Sequence, residues 1–273
     1  MGKIEYCDRQ WNPITGCISG LQCWDRCWAR RMANRQRGRN GYDADAPFTP
    51  TFHPDRLGEP EKWRRPQRVA VSFMGDIALA PIHWLDAVVR AMRSAQRHTF
   101  LLLTKRPKLL AAYLAIRNPL PHNVWLGVSV EDQRAADDRI PGLLKCLAAV
   151  RWLSVEPMLG PVDLLRNCDW LQCARMKEGG TERSGFRPEI DWVVVGGESG
   201  PGARPMHPDW VRSVRDQCQA AGVPWWFKQW GEFAPETADA DSFGAFPGMS
   251  KIGKKAAGCV LDGLEYHELP TRD

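Results

Sequence analysis

The chain has 273 residues, 44% of them hydrophobic and 25% charged, so it can bury a core as one large domain or a barrel and is neither disordered nor fibrous. No apolar run approaches the roughly 20 residues of a membrane span, and the opening MGKIEYCDRQ lacks the apolar core of a signal peptide and the Ser or Thr at position six of a myristoylated start. The expectation is a cytoplasmic protein with reduced thiols and no membrane partner, whose net charge of +5 permits a nucleic acid without demanding one.

Residues 10–16 read as a short first strand that delivers Cys17 to the edge of a sheet. Three of the nine cysteines then follow as Cys17, Cys23 and Cys27, spaced Cys-x5-Cys-x3-Cys. Asn12-Pro13 and Thr15-Gly16 mark the lead-in as loop, and the strong helix formers after Cys27 predict a helix over 29–37. Three close thiols are an odd number for disulfides. They suit buried cysteines, or a zinc site that still lacks a fourth ligand, with His53 the nearest histidine. They also suit a 4Fe–4S cluster whose fourth iron is open to a small molecule.

The predicted helix carries Arg30, Arg31, Arg35, Arg37 and Arg39, either a solvated basic face or a patch for a phosphate-bearing substrate. Thirteen tryptophans are mostly packing residues, with some available for base stacking. Residues 40–66, rich in Pro and Asp, read as a long loop of the kind that forms lids.

From residue 68 a repeat begins. Apolar runs at 68–73, 98–103, 124–128, 150–155, 191–195 and 225–227 alternate with helical patterns at 84–96, 107–117, 132–147 and 208–221. Such runs suit parallel strands covered on both faces. The expected fold is α/β, a full or partial TIM-type (β/α) barrel of six to seven parallel strands, with an open doubly wound sheet as the alternative. Polar residues fall at the end of one run after another, where a barrel builds its active site. Residues 164–190, with Cys168 and Cys173, read as an insertion. The tail from about 232 reads as an extension of the same domain.

Many stretches resemble the phage Gp37/Gp68 family, a DUF5131-type group whose sequences are similar to radical S-adenosylmethionine enzymes. They include WNPITGC at 11–17, PFTPTFHPDRL at 47–57, SFMGD at 72–76, LLLTKRP at 101–107, NVWLGVSVEDQ at 123–133, RWLSVEPMLGP at 151–161, DWVVVGGESGPGARPMHPDW at 191–210 and VPWWFKQWGE at 223–232. The usual radical-enzyme pattern is Cys-x3-Cys-x2-Cys with an aromatic before the last cysteine; this chain has longer spacings and Arg26 there.

The resemblance implies that Cys17, Cys23 and Cys27 ligate a 4Fe–4S cluster. S-adenosyl-L-methionine would bind the open iron, and one electron, from a donor such as flavodoxin, would cleave it to a 5′-deoxyadenosyl radical. Met74, Gly75 and Asp76 resemble the Gly-Gly-Glu cofactor element of radical enzymes. Ser129, Glu131, Gly196, Gly197 and Glu198 are further cofactor candidates. Lys105, Glu156 and Lys228 are catalytic candidates, and Arg106, Arg204, His207 and Gln229 complete the set for substrate. The phage association implies a nucleotide or nucleic-acid substrate, DNA included. Two readings stand against it: a non-catalytic zinc- or cluster-bearing nucleic-acid-binding protein, and a metal-free hydrolase or transferase on the same scaffold.

Overall fold

A computed structural model describes residues 4–20, 23–117, 119–166, 170–171, 190–235 and 248–271. Cys168 and Cys173, in the stretch read as an insertion, lie outside the described residues. The chain divides into two compact units, one of residues up to 128 with 146–149, the other of 129–145 with 150–273.

The first unit holds β1 (Arg9–Trp11), β2 (Ile14–Thr15), α1 (Trp28–Arg35), β3 (Thr51–Phe52), α2 (Glu59–Lys62), β4 (Arg68–Val71), α3 (Ile82–Ser94), β5 (Thr99–Thr104), α4 (Pro107–Ala115) and β6 (Val124–Ser129), whose last residue belongs to the second unit. The second holds α5 (Gln133–Leu144), β7 (Val150–Val155), β8 (Trp192–Gly196), α6 (Pro208–Ala221), β9 (Trp225–Gln229), β10 (Phe233–Pro235), β11 (Met249–Lys251) and α7 (Lys254–Ala257). Within each unit the large-sheet pairings are parallel: β1 with β4, β4 with β5, β5 with β6, then β7 with β8 and β8 with β9. Every residue of β6, β7 and β8 is buried, which explains why these segments read as unbroken apolar runs.

The strand order is β1-β4-β5-β6-β7-β8-β9, with β1 and β9 at its ends. The sheet is therefore open, and the expectation of a full barrel is corrected to a seven-stranded α/β sheet. In the second unit the tail takes up the free side of β9. Phe227 N–H donates to Tyr266 O at 2.8 Å, Glu268 N–H to Trp225 O at 3.1 Å, and Trp192 Nε1 to Glu268 O at 2.9 Å. Covering an edge strand this way removes a template for unwanted pairing.

The expected lid at 40–66 is also corrected. It carries β3 and α2, and β3 pairs antiparallel with β2. Arg56 donates to Asn12 O at 2.8 Å and to Asn40 O, while Trp11 Nε1 donates to Arg56 O at 2.9 Å. The segment is packed framework around the cysteine loop, an outcome hidden in the sequence because its two-residue strand has no periodicity.

Candidate functional site

The first unit builds the cysteine loop from backbone contacts between two strand ends. Past β1 the chain runs beside the residues after β4, with Gly16 bridging Gly75 in parallel. Gly16 N–H donates to Met74 O at 3.0 Å and Asp76 N–H to Gly16 O at 3.1 Å; Asn12 Oδ1 accepts from Met74 N–H at 3.1 Å. Gly16 has φ +87°, and a Cβ there would run into the Thr49 carbonyl; a Cβ on Gly75 would run into that of Gly16. The glycine of the Met74-Gly75-Asp76 element thus serves the approach of the chain to itself. Cys17 N–H then donates to Phe48 O at 2.9 Å, fixing the first cysteine.

Met74 is fully buried in a cluster with Ala29, Ala33, Tyr42 and Phe48, against which Cys17, Trp24, Cys27 and Met32 also pack. Its side chain is core, which leaves only its backbone for a ligand. The same cluster brings the first and third cysteines onto one apolar support. Cys27 is the N-cap residue of α1, and its thiol makes no capping hydrogen bond. Cys17, Cys23 and Cys27 are all half-buried and none is in a disulfide.

Asp76 is anchored beside the cysteine loop. Its carboxylate accepts from Thr104 Oγ1 at 2.6 Å and from the backbone N–H of Ala78 and Lys105, each at 3.1 Å. Arg106 lies beside it, with Nε 4.0 Å from Asp76 Oδ2. Nε and Nη2 of Arg106 are nonetheless buried without a hydrogen-bond acceptor. Burial, followed by the Asp76 carboxylate, raises the Cys17 thiol above its ordinary pKa, and the Arg106 guanidinium pulls the other way. The structure therefore joins Cys17, Asp76, the Lys105 backbone and Arg106 in one small space. Thr104, which the sequence reading passed over, orients Asp76; its signal was a hydroxyl directly before Lys105-Arg106 at the end of a strand.

His53, weighed as a fourth zinc ligand, is engaged elsewhere. His53 is buried, and its Nε2 lies 2.8 Å from Thr15 Oγ1. Among the described residues, neither His53 nor the three cysteines belong to a group of ligand atoms that all lie within 4.8 Å of one another. Burial and then the nearby Arg56 hold the His53 pKa down at about 4, below its ordinary 6.5. The folded chain thus keeps His53 neutral while the unfolded chain takes a proton. The His53 contribution to stability should be constant above about pH 6.5, fall from there to about pH 4, and level off below, where the carboxylates take over the acid loss. Urea midpoints across this range should fall in the parent and fall less in His53→Gln, which keeps a partner for Thr15 without the titration.

In the second unit the polar residues at strand ends form three ion pairs. After β7, Glu156 Oε1 meets Lys228 Nζ of β9 at 2.8 Å, and Ser154 Oγ donates to Glu156 Oε2 at 3.0 Å. Arg139 of α5 binds Glu131 Oε2 and the Ser129 carbonyl, both at 2.7 Å. Arg204 grips both oxygens of Glu198, at 2.7 and 2.9 Å, and this pairing raises the Arg204 pKa.

The glycines of the second unit repeat the logic of the first. A Cβ on Gly196 would press on the Glu156 carboxylate, and one on Gly197 would run into the Trp230 carbonyl. Gly197 N–H donates to Gln229 O at 2.9 Å, and Gln229 Nε2 returns a bond to Gly197 O at 2.8 Å. So Gly196, Gly197 and Gln229 lock β8 to β9. His207, expected near substrate, instead caps α6 by accepting from Asp209 N–H at 3.1 Å. Arg139 was missed by the sequence reading; an arginine two turns along a helix from Glu131 has no signal of its own.

The model of a family described as "Protein of unknown function (DUF5131)" matches residues 1–270. No curated protein and no solved structure matches the chain.

Proposed function

The chain belongs to the DUF5131 family, and we propose that it is a radical S-adenosylmethionine enzyme whose Cys17, Cys23 and Cys27 hold a 4Fe–4S cluster. One observation carries the reading: two buried donors of Arg106 lack an acceptor beside Cys17. Buried donors without an acceptor are costly, and a cluster bound by three thiolates is an anion that would satisfy them. The half-buried thiols on an apolar support also fit a group that must be shielded from water yet reached by a cofactor. When bound, the cluster and its cofactor supply the one-electron cleavage that generates a carbon radical.

The protein's own part is placement. Gly16 and Gly75 set Cys17 by backbone contact, Asp76 holds Arg106, and Arg106 offers its donors to the cluster or to a bound carboxylate. In the second unit, Lys228 Nζ and Glu156 Oε1 form an ion pair at 2.8 Å, the candidate acid–base pair of that unit. In the second unit Glu131 and Glu198 are held in ion pairs and Gly196 and Gly197 lie against neighbouring chain, so these residues, with Ser129, serve the frame there, while Lys105 of the first unit stays a catalytic candidate. The substrate class is a nucleotide or nucleic-acid base.

The test is anaerobic purification with iron and sulfide analysis, then reduction with S-adenosylmethionine and chromatography for 5′-deoxyadenosine. About four irons per chain with cofactor cleavage is expected. A folded chain that takes up zinc at the three cysteines, or no metal, overturns the proposal. Arg106→Leu takes the cation from Asp76 but leaves it the Thr104, Ala78 and Lys105 donors; its folded fraction should retain the cluster at least about tenfold less well through gel filtration, as the loss of an outer-shell partner does.

A further inference from the structure

Away from the cysteine loop, in the second unit, we infer a mononuclear zinc site formed by Cys259, Glu265 and His267. One ligand atom from each lies within 4.8 Å of the other two. Sulfur, carboxylate oxygen and imidazole nitrogen together are a zinc ligand set, and three protein ligands leave the fourth tetrahedral position to water. None of these residues belongs to the cluster reading, so the two stand or fall separately.

The site is held by the framework. Between the ligands the chain makes a two-residue hairpin in which Leu261 and Leu264 exchange hydrogen bonds at 2.9 and 3.0 Å. Its turn residues, Asp262 and Gly263, have φ of +51° and +82°, the Asp-Gly pattern of a tight hairpin. Arg212 and Arg215 of α6 clamp Asp262 at 2.7 and 2.6 Å. Trp230 Nε1 binds Val260 O at 2.8 Å, next to Cys259. The His267 ring stacks on Trp226 with centroids 4.4 Å apart. The hairpin backbone and the His267 ring are thus held by the fold, which lowers the ordering cost of binding a metal.

Zinc at this site would fasten the tail segment to the edge of β9. Its coordination would also replace the 3.7 Å approach of Glu265 to His267 with bonds of about 2.0–2.3 Å to the ion.

The experiment titrates zinc against a chromophoric chelator, using the full chain and the full chain carrying Cys17→Ala, Cys23→Ala and Cys27→Ala. The second protein keeps zinc out of the cysteine loop. One equivalent should bind to both, and zinc should raise the melting temperature of both, because the ion binds only the folded state. Cys259→Ser and His267→Gln should each weaken binding at least about tenfold and abolish the thermal shift. Glu265→Gln, half-exposed and remote from packing, serves as the variant that leaves the fold alone; it too should weaken binding. Iron bound at the cysteine loop should be the same in all three. Zinc affinity unchanged in these variants, or no zinc bound by the triple-alanine chain, overturns the inference.

Discussion

Cys17→Ala should purify as a folded, colourless protein that holds no iron and yields no 5′-deoxyadenosine. The fold should survive because the structure ties residue 17 through its backbone. Cys17 N–H reaches Phe48 O at 2.9 Å whatever the side chain, and the thiol is only half-buried. Losing the Sγ of a half-buried residue costs about 1 kcal/mol, within the range of ordinary substitutions. The chemical effect should instead be complete, since two thiolates cannot hold the cluster that three were arranged to hold. Gly16→Ala is the control for the opposite case. Its Cβ would collide with the Thr49 carbonyl at a φ of +87°, so iron should be lost there through misfolding, seen as a lowered melting temperature. Iron retained in Cys17→Ala at the parent level would remove the cysteine loop from the chemistry.

The contrast between these neighbours shows what the sequence carries. Residue types at the loop were legible: the cysteine spacing, the turn signals at Asn12-Pro13 and Gly16, and the polar residues after each apolar run. The strands were legible for the same reason. β7 spans 150–155 as read, because a buried parallel strand is an unbroken apolar run. Closure was not legible, since whether seven strands close or stay open depends on what the edges meet, and β9 meets residues 258–268 of its own tail. Nor was the duty of the glycines. Gly75 and Gly197 looked like places for a ligand to approach backbone, and in both units another stretch of chain approaches instead. A glycine reports that something comes close without naming it. Pairing between side chains was equally silent. Asp76 with Thr104, and Glu131 with Arg139, are separated in sequence by whole elements or helical turns, and only packing selects the partner.

The same packing makes Glu156 and Lys228 the pair whose rupture should be most damaging. Lys228→Met should lower stability by about 3–5 kcal/mol, the usual cost of leaving a buried charge without its partner. The Glu156 and Lys228 side chains are only 12% and 18% exposed, and Gly196 lies against the carboxylate, so water has little room to replace the ammonium. Glu156→Gln combined with Lys228→Met should recover most of that loss: the neutral amide still accepts from Ser154 Oγ, and no charge is buried. The recovery separates two roles for the pair. If Lys228 and Glu156 only hold β7 and β9 together, the double variant should regain both stability and cofactor cleavage coupled to product formation. If they move a proton for the reaction, urea midpoints should return while turnover stays at least about a hundredfold down, as removal of a positioned acid–base group does. We expect the second result, with cluster iron unchanged throughout, because the cysteine loop and Arg106 are untouched by either substitution. A double variant as active as the parent would leave the pair a structural one.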